Sequence, residues 1–301
     1  MFRRFILSLI PLLAVVARAQ TSIRVPFECA EDQLQSAGLL CTEDEPCAIY
    51  LELSAIAPLG KKLYLAGNLH ANAGTLSSIL LASEDGGLTW KEPSPRIPGA
   101  ALDQIQFHDL EHGWAAGETQ VPLPADPFFL ITSDGGQTWR KRPVTDEGGP
   151  GALQAFWFDS ATHGELIVDA GRSSPAGRYV SYETETGGDT WMVRSETGKL
   201  PALKRAPPAG EADFRIRAVG EKTYQIEKRA GEEKWDTMAS FLIEAASCKL
   251  KPAPAKEPPA ITEQPEAKDY VEELKLGTPA KTTATPSTNP AVPVKKKGPG
   301  F

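Results

Sequence analysis

The segment Gln104-Ile105-Gln106-Phe107 alternates polar and apolar residues with period two, the pattern of a strand that buries one face. Three further short stretches read as strands after it: Gly113–Gly117, Phe128–Thr132 and Thr138–Arg142. The same order recurs from about Ala48 to Pro95 and from about Ala152 to Glu196. The last stretch, Asp213–Cys248, is shorter. It has room for three clear strands, Phe214–Val219, Thr223–Arg229 and Lys234–Ile243.

One octet punctuates these units. It reads Ser83-Glu84-Asp85-Gly86-Gly87-Leu88-Thr89-Trp90, then Thr132-Ser133-Asp134-Gly135-Gly136-Gln137-Thr138-Trp139. It returns as Thr184-Glu185-Thr186-Gly187-Gly188-Asp189-Thr190-Trp191, with Thr186 where Asp is expected. An eroded fourth copy is expected to end at Trp235, after Gly231. A second element, Phe107–Trp114, resembles Phe158–Glu165 at the same phase, so the repeat is a whole unit of about fifty residues. Four antiparallel strands at that period predict a blade. The fold expected is all-β: a small β-propeller of about four blades, open or irregular, with each octet joining third and fourth strands.

The octet chemistry reads as structural. Paired glycines permit backbone angles closed to other residues. The Asp carboxylate and the Ser or Thr hydroxyl accept backbone N–H groups and hold the turn. The Trp anchors the outgoing strand. Catalysis by Asp85 or Asp134 is the sharper alternative.

The pattern Ser/Thr-x-Asp-x-Gly-x-Thr-Trp resembles the Asp-box, or bacterial neuraminidase repeat. That repeat occurs in sialidases, sortilin-type receptors, xyloglucan-active glycosidases and the photosystem II assembly and stability factor family. The run Gly113-Trp114-Ala115-Ala116-Gly117 most resembles the assembly-factor branch, although Glu165 replaces the Trp in the next unit. The resemblance covers about Ala48 to Ala246 and implies a propeller; the box is scaffold, so it implies little about activity.

Composition adds an address. Arg3 and Arg4 precede an apolar run, Phe5–Ala17, and Ala17-Arg18-Ala19 offers a cleavage site, so residues 1–19 read as a signal peptide. Export to the periplasm or the extracellular space is expected, with no stable membrane span after cleavage. The net charge of −7 gives no reason to expect nucleic acid as a partner. Cys29, Cys41, Cys47 and Cys248 then favour two disulfides. Cys47–Cys248 and Cys29–Cys41 are the pairs expected, the first tying the ends of domain 48–248 and the second stapling the short stretch Glu31–Leu40 within segment 20–47. From residue 249 to 301, Pro, Ala, Lys, Glu and Thr dominate and predict a disordered tail, with a brief helix over about 266–276.

Function is expected on the face opposite the octets. There the second-to-third loops are long: Gly67–Leu76, Gly117–Pro127 and Asp169–Arg178. They contribute Asn68, His70, Glu118, Asp126, Asp169, Arg172 and Arg178 as candidate binding residues. An exported, non-catalytic binding or assembly module for a protein or glycan follows. The alternative is a glycoside hydrolase, through Glu118 and Asp169 as a carboxylate pair or a sialidase-like clamp of Arg172, Arg178 and Arg215. No catalytic residue, cofactor or metal is expected. The chain has no Ser-nucleophile motif, phosphate loop or His pair at metal-ligand spacing, and His108, His112 and His163 read as turn residues.

Overall fold

The computed structural model describes residues 22–249, apart from 73, 121–122, 150, 173, 175–176, 204–209, 221 and 245–246. The expected signal peptide, the tail beyond Lys249 and its brief helix lie outside the described residues.

The chain runs β1 (Ile23–Val25), α1 (Glu31–Ser36), β2 (Cys47–Leu59), β3 (Lys62–Ala71), β4 (Gly74–Ser83), β5 (Ala100–Phe107), β6 (Gly113–Thr119), β7 (Ala125–Thr132) and β8 (Arg140–Pro143). It continues with β9 (Ala152–Phe158), β10 (Gly164–Asp169), β11 (Tyr179–Thr184), β12 (Met192–Thr197), β13 (Phe214–Val219), β14 (Thr223–Arg229), β15 (Trp235–Ile243) and β16 (Ser247–Cys248). These make four four-stranded sheets, ordered β16-β2-β3-β4, β5-β6-β7-β8, β9-β10-β11-β12 and β13-β14-β15-β1. The sheets are the blades of a small β-propeller.

The two middle blades follow the expected plan, with the octets joining β7 to β8 and β11 to β12. The outer blades are completed differently. After the first octet the outgoing strand shrinks to a bridge between Ala82 and Lys91. The fourth strand of that sheet is instead β16, paired with β2. In the fourth blade, β1 from the other end of the chain lies parallel to β15. The expected fourth octet is corrected: Gly231 and Trp235 lie at the hairpin between β14 and β15, a second-to-third connection. There the guanidinium groups of Arg215 and Arg229 lie over the Trp235 ring.

Blades pack through the apolar side chains that period-two alternation collects on each face. Ile49, Leu51, Leu65 and Leu69 of the first blade meet Ile226, Phe241 and Ile243 of the fourth, with Val25 and Leu34 at the margin. Ala66 and Leu80 meet Leu102 and Phe128 between blades one and two, and Tyr64 and Ala82 meet Phe107 beside them. Trp114 and Phe129 meet Phe156, Phe158 and Leu166 between blades two and three. There the Trp114 and Phe158 rings stack at 3.7 Å. Burying each such aromatic ring contributes roughly 1.5–3 kcal/mol. Among the described residues no apolar cluster joins blades three and four. The packing order is therefore four, one, two, three.

The cysteine pairing differs from the expected one. The bridges are Cys29–Cys248 and Cys41–Cys47. Cys47 and Cys248 are directly opposite each other in the β2–β16 ladder, but each is bonded elsewhere. The outcome still links the start of the domain to its end. It also anchors both flanks of α1, whose Leu34 is fully buried.

Candidate functional site

Each octet is a closed hydrogen-bond circuit. In the first, Ser83 Oγ accepts from Gly87 N at 2.8 Å and donates to Asp85 Oδ1 at 2.8 Å. Asp85 also accepts from Leu88 N, Thr89 N and Thr89 Oγ1, and Trp90 Nε1 donates to the Gly87 carbonyl. Thr132, Asp134, Gly136, Thr138 and Trp139 repeat the circuit. The hydroxyl and N–H of Thr89 lead in holding the Asp85 carboxyl down to about 2. At Asp134 burial opposes ionisation, but the Thr138 and Thr132 hydroxyls and nearby N–H groups outweigh it, again to about 2. In the third octet Thr186 Oγ1 takes the Asp role, accepting from Thr190 N at 2.9 Å, while Thr184 Oγ1 caps Gly188 N. The paired glycines of all three octets have φ between 67° and 93°, a region that excludes most side chains. Trp191 Nε1, by contrast, is buried with no hydrogen-bond partner, its ring lying on Phe129.

The octets lie against the first-to-second turns. Gly86, Gly135 and Gly187 donate their N–H groups to Lys61, Glu111 and Thr162. Blade-to-blade latches start on the same face. Tyr64 Oη donates to Gly135 O, and Trp114 Nε1 donates to Gly187 O, each reaching the octet of the next blade. Both contacts absorb an octet carbonyl, which supports a scaffold role for this face.

The loop-face residues divide into three groups. Asn68 and Glu118 are buried and act as latches at the opposite end of the same strands. Asn68 Oδ1 accepts from Leu102 N at 2.7 Å, and Glu118 Oε2 accepts from Leu153 N at 3.3 Å. The register slips beside Leu102 and Leu153, so the sheet leaves these N–H groups to be met by the preceding blade. The glycine before each latch is sterically required. A Cβ on Gly67 would lie 2.2 Å from Glu52 O, and one on Gly117 would lie 1.9 Å from Ala101 O. Burial pushes the Glu118 carboxyl up to about 7, against the Leu153 N–H and Gln120 amide that favour its charge.

A second group is tied up locally. His70 stacks on Tyr50 at 5.5 Å. Asp169 pairs with Arg178 at 2.7 Å and accepts from Gly171 N. Arg172 is exposed. Arg215 pairs with the buried Glu227. The arginine clamp of the alternative reading is not assembled, since Arg178 and Arg215 each hold a separate carboxylate. Glu118 and Asp169 are likewise engaged with different partners.

Asp126 stands alone in the third group, because it lines a cavity. That cavity, of about 310 Å³, lies on the loop face beneath α1. Its walls are Gln33 and Ser36 of α1 with Ala37 just after it, Thr75 and Leu76 at the start of β4, Pro98 and Gly99, Thr119 and Asp126. The walls are fixed by hydrogen bonds from Gly99 N to Leu76 O and from Gln120 N to Gly99 O. Asp126 sits at φ 49°, the one positive value at a non-glycine position among the described residues. A two-way clasp holds it there: Asp126 N donates to Gly149 O, and Gly149 N donates to Asp126 Oδ1. Strain of this kind gathers where a side chain must be aimed. Sequence reasoning missed the α1 side of the cavity, because nothing in Glu31–Ser36 marks it as lying over a loop face.

A search of family models gives no match to this chain, and none of the curated proteins is similar to it. Among the solved structures, several show a partial similarity. YCF48 bound to D1 peptide is 22% identical, with a TM-score of 0.35, over 64% of this chain and 54% of that one. YCF48 from Cyanidioschyzon merolae is 18% identical, with a TM-score of 0.34, over 63% of this chain and 59% of that one. The α-L-arabinanase of Penicillium chrysogenum, complexed with arabinobiose, is 14% identical, with a TM-score of 0.32, over 63% and 60%. The chain thus spans somewhat over half the length of these proteins.

Proposed function

We propose that this protein is an exported, non-catalytic binding module whose octets are Asp boxes and whose loop face takes a protein or glycan segment into the cavity beneath α1. The carrying observation is the cavity itself, an open pocket lined by hydroxyl, amide and backbone groups and bordered by a helix anchored on both flanks by disulfides. Such a wall offers donors and acceptors that fix a polar segment, over an apolar patch of Leu76 and Pro98. Asp126 is the single carboxylate among its lining residues. Hydrolysis of a glycosidic bond needs two, so the lining favours binding over turnover.

Export is supported by two disulfides and by a sequence with a signal-peptide pattern. No helix among the described residues is long and apolar enough to cross a membrane. The test pairs binding with activity. Peptide and glycan arrays are probed with the oxidised protein and with Thr119→Trp, which fills the cavity. Binding lost in Thr119→Trp, with no turnover of sialosides or β-glucans, is expected. Turnover abolished by Glu118→Gln or Asp169→Asn would overturn the proposal.

A further inference from the structure

We propose that His163, Glu183 and Glu185 form a site for a divalent transition metal of the Zn²⁺ class, oriented by Asp159. His163 is on the turn between β9 and β10, whereas Glu183 and Glu185 flank Thr184, the first residue of the third octet. The fold brings their donor atoms within 4.8 Å of one another. His163 Nε2 is 3.1 Å from Glu183 Oε1 and 4.0 Å from Glu185 Oε1. Metal–ligand bonds of about 2.0–2.2 Å set tetrahedral donors roughly 3.4 Å apart, so small side-chain adjustments suffice.

The other ring nitrogen gives the site its direction. His163 Nδ1 lies 2.7 Å from Asp159 Oδ1. A carboxylate on one nitrogen, with a metal on the other, is the arrangement common around zinc-bound histidines, and the shorter contact here is the one to Asp159. Both ring nitrogens face carboxylate oxygens, so with Nδ1 donating to Asp159 the Nε2 lone pair points at Glu183 and Glu185, where a cation fits. A proton fills that place as imidazolium, hydrogen-bonded to Asp159 on one side and Glu183 on the other. A metal ion fills it with two more oxygens already in reach. One nitrogen with two carboxylates suits Zn²⁺, and also Mn²⁺ or Co²⁺. Arg194, paired with Glu165 and 3.4 Å from Glu183, is the resident positive charge that an ion must share the site with.

The chain holds its own control. His112 occupies the matching turn of blade two, with Asp109 on its Nδ1. The residues flanking Thr132 there are Ile131 and Ser133, so the octet of blade two supplies neither of the two carboxylates that Glu183 and Glu185 supply in blade three. The ligands thus arise in the one octet whose own Asp is missing, and a bound ion would bind that octet to its neighbouring turn. The sequence gives no metal spacing because Glu183 and Glu185 come from a different hairpin.

The test is calorimetric titration of the folded, oxidised protein with Zn²⁺ alone, for wild type, His163→Gln, Glu185→Gln, Asp159→Asn and His112→Gln. One ion per chain is expected. Uptake should be absent in His163→Gln, weakened in Glu185→Gln, lowered roughly 10- to 100-fold in Asp159→Asn and unchanged in His112→Gln. A nitrogen-edited spectrum of the wild-type imidazoles covers the case of a variant that misfolds. Zn²⁺ should displace the proton from His163 Nε2 and leave His112 untouched. Equal uptake by wild type and His163→Gln, or a His163 ring indifferent to millimolar Zn²⁺, would overturn the proposal and leave a proton as the cation there.

Discussion

The phenol oxygen of Tyr64 lies 2.6 Å from the carbonyl oxygen of Gly135 and so ties blade one to the octet of blade two. Trp114 makes the corresponding bond to Gly187 at 2.8 Å. The two differ in one respect: Lys62 Nζ also donates to Gly135 O. Tyr64→Phe leaves that carbonyl partly satisfied and is expected to cost about 1 kcal/mol. Trp114→Phe leaves Gly187 O bare and shrinks a ring stacked on Phe158, for about 2–3 kcal/mol. Urea midpoints of the two variants check the order. Equal losses would mean that the hydrogen bonds do not carry the coupling.

The two disulfides should differ in weight. Cys29–Cys248 closes 219 residues and Cys41–Cys47 closes 6. In the chain-entropy model the first contributes about 5 kcal/mol and the second about 2. Paired Cys→Ala variants, compared by thermal unfolding, should show the larger loss for Cys29 and Cys248. A larger loss on removing Cys41–Cys47 would argue that α1, rather than ring closure, limits stability.

Glu118 sets a slope with pH. Its carboxyl is pushed up to about 7 in the fold, chiefly by burial. A raised pKa means that the folded state binds the extra proton. The stability it contributes is therefore complete below about pH 4 and is lost as pH rises through 7. Glu118→Gln keeps an acceptor for Leu153 N without the charge. It should flatten the decline between pH 5 and pH 8, a change on the order of 3 kcal/mol at the alkaline end. Unfolding curves across that range decide it, and an unchanged slope would place the titration elsewhere.

The octet carboxylates act at the opposite end. Asp85 and Asp134 are held down to about 2, so the folded state favours their ionised forms. Their contribution is present above about pH 4 and fades as pH falls toward 2. Asp134→Asn should lower the midpoint at pH 6 and leave it nearly unchanged at pH 2. A loss of equal size at both values would show that the turn depends on shape rather than on charge.

Much of this architecture is legible in the chain. The octet declares itself because a tight reversal needs glycines at positive φ, a capping carboxylate and a ring to anchor the next strand. The rest turns on contacts that one unit makes with another. Asn68 and Glu118 read as loop-face binders, yet each meets an N–H that a register slip frees in the following blade. The one local trace is a polar residue after glycine at the same phase, in Gly67-Asn68 and Gly117-Glu118. β1 has only three residues, and its parallel partner lies at the far end of the domain, so no periodicity marks it. Four cysteines permit three pairings, and sequence alone does not choose among them. Asp126 stood among the binding candidates, but its clasp with Gly149 and the helix above it are products of the fold.

The central claim is that the loop face, not the octet face, meets the partner. Site-specific photo-crosslinking in the native cells tests it most directly, with the reactive group at Gln33 or Thr119 on the cavity wall and at Leu88 or Leu110 on the octet face. One defined adduct from Gln33 and Thr119, competed by the isolated partner segment and absent from Leu88 and Leu110, is the result predicted. Adducts that form only from Leu88 and Leu110 would contradict it.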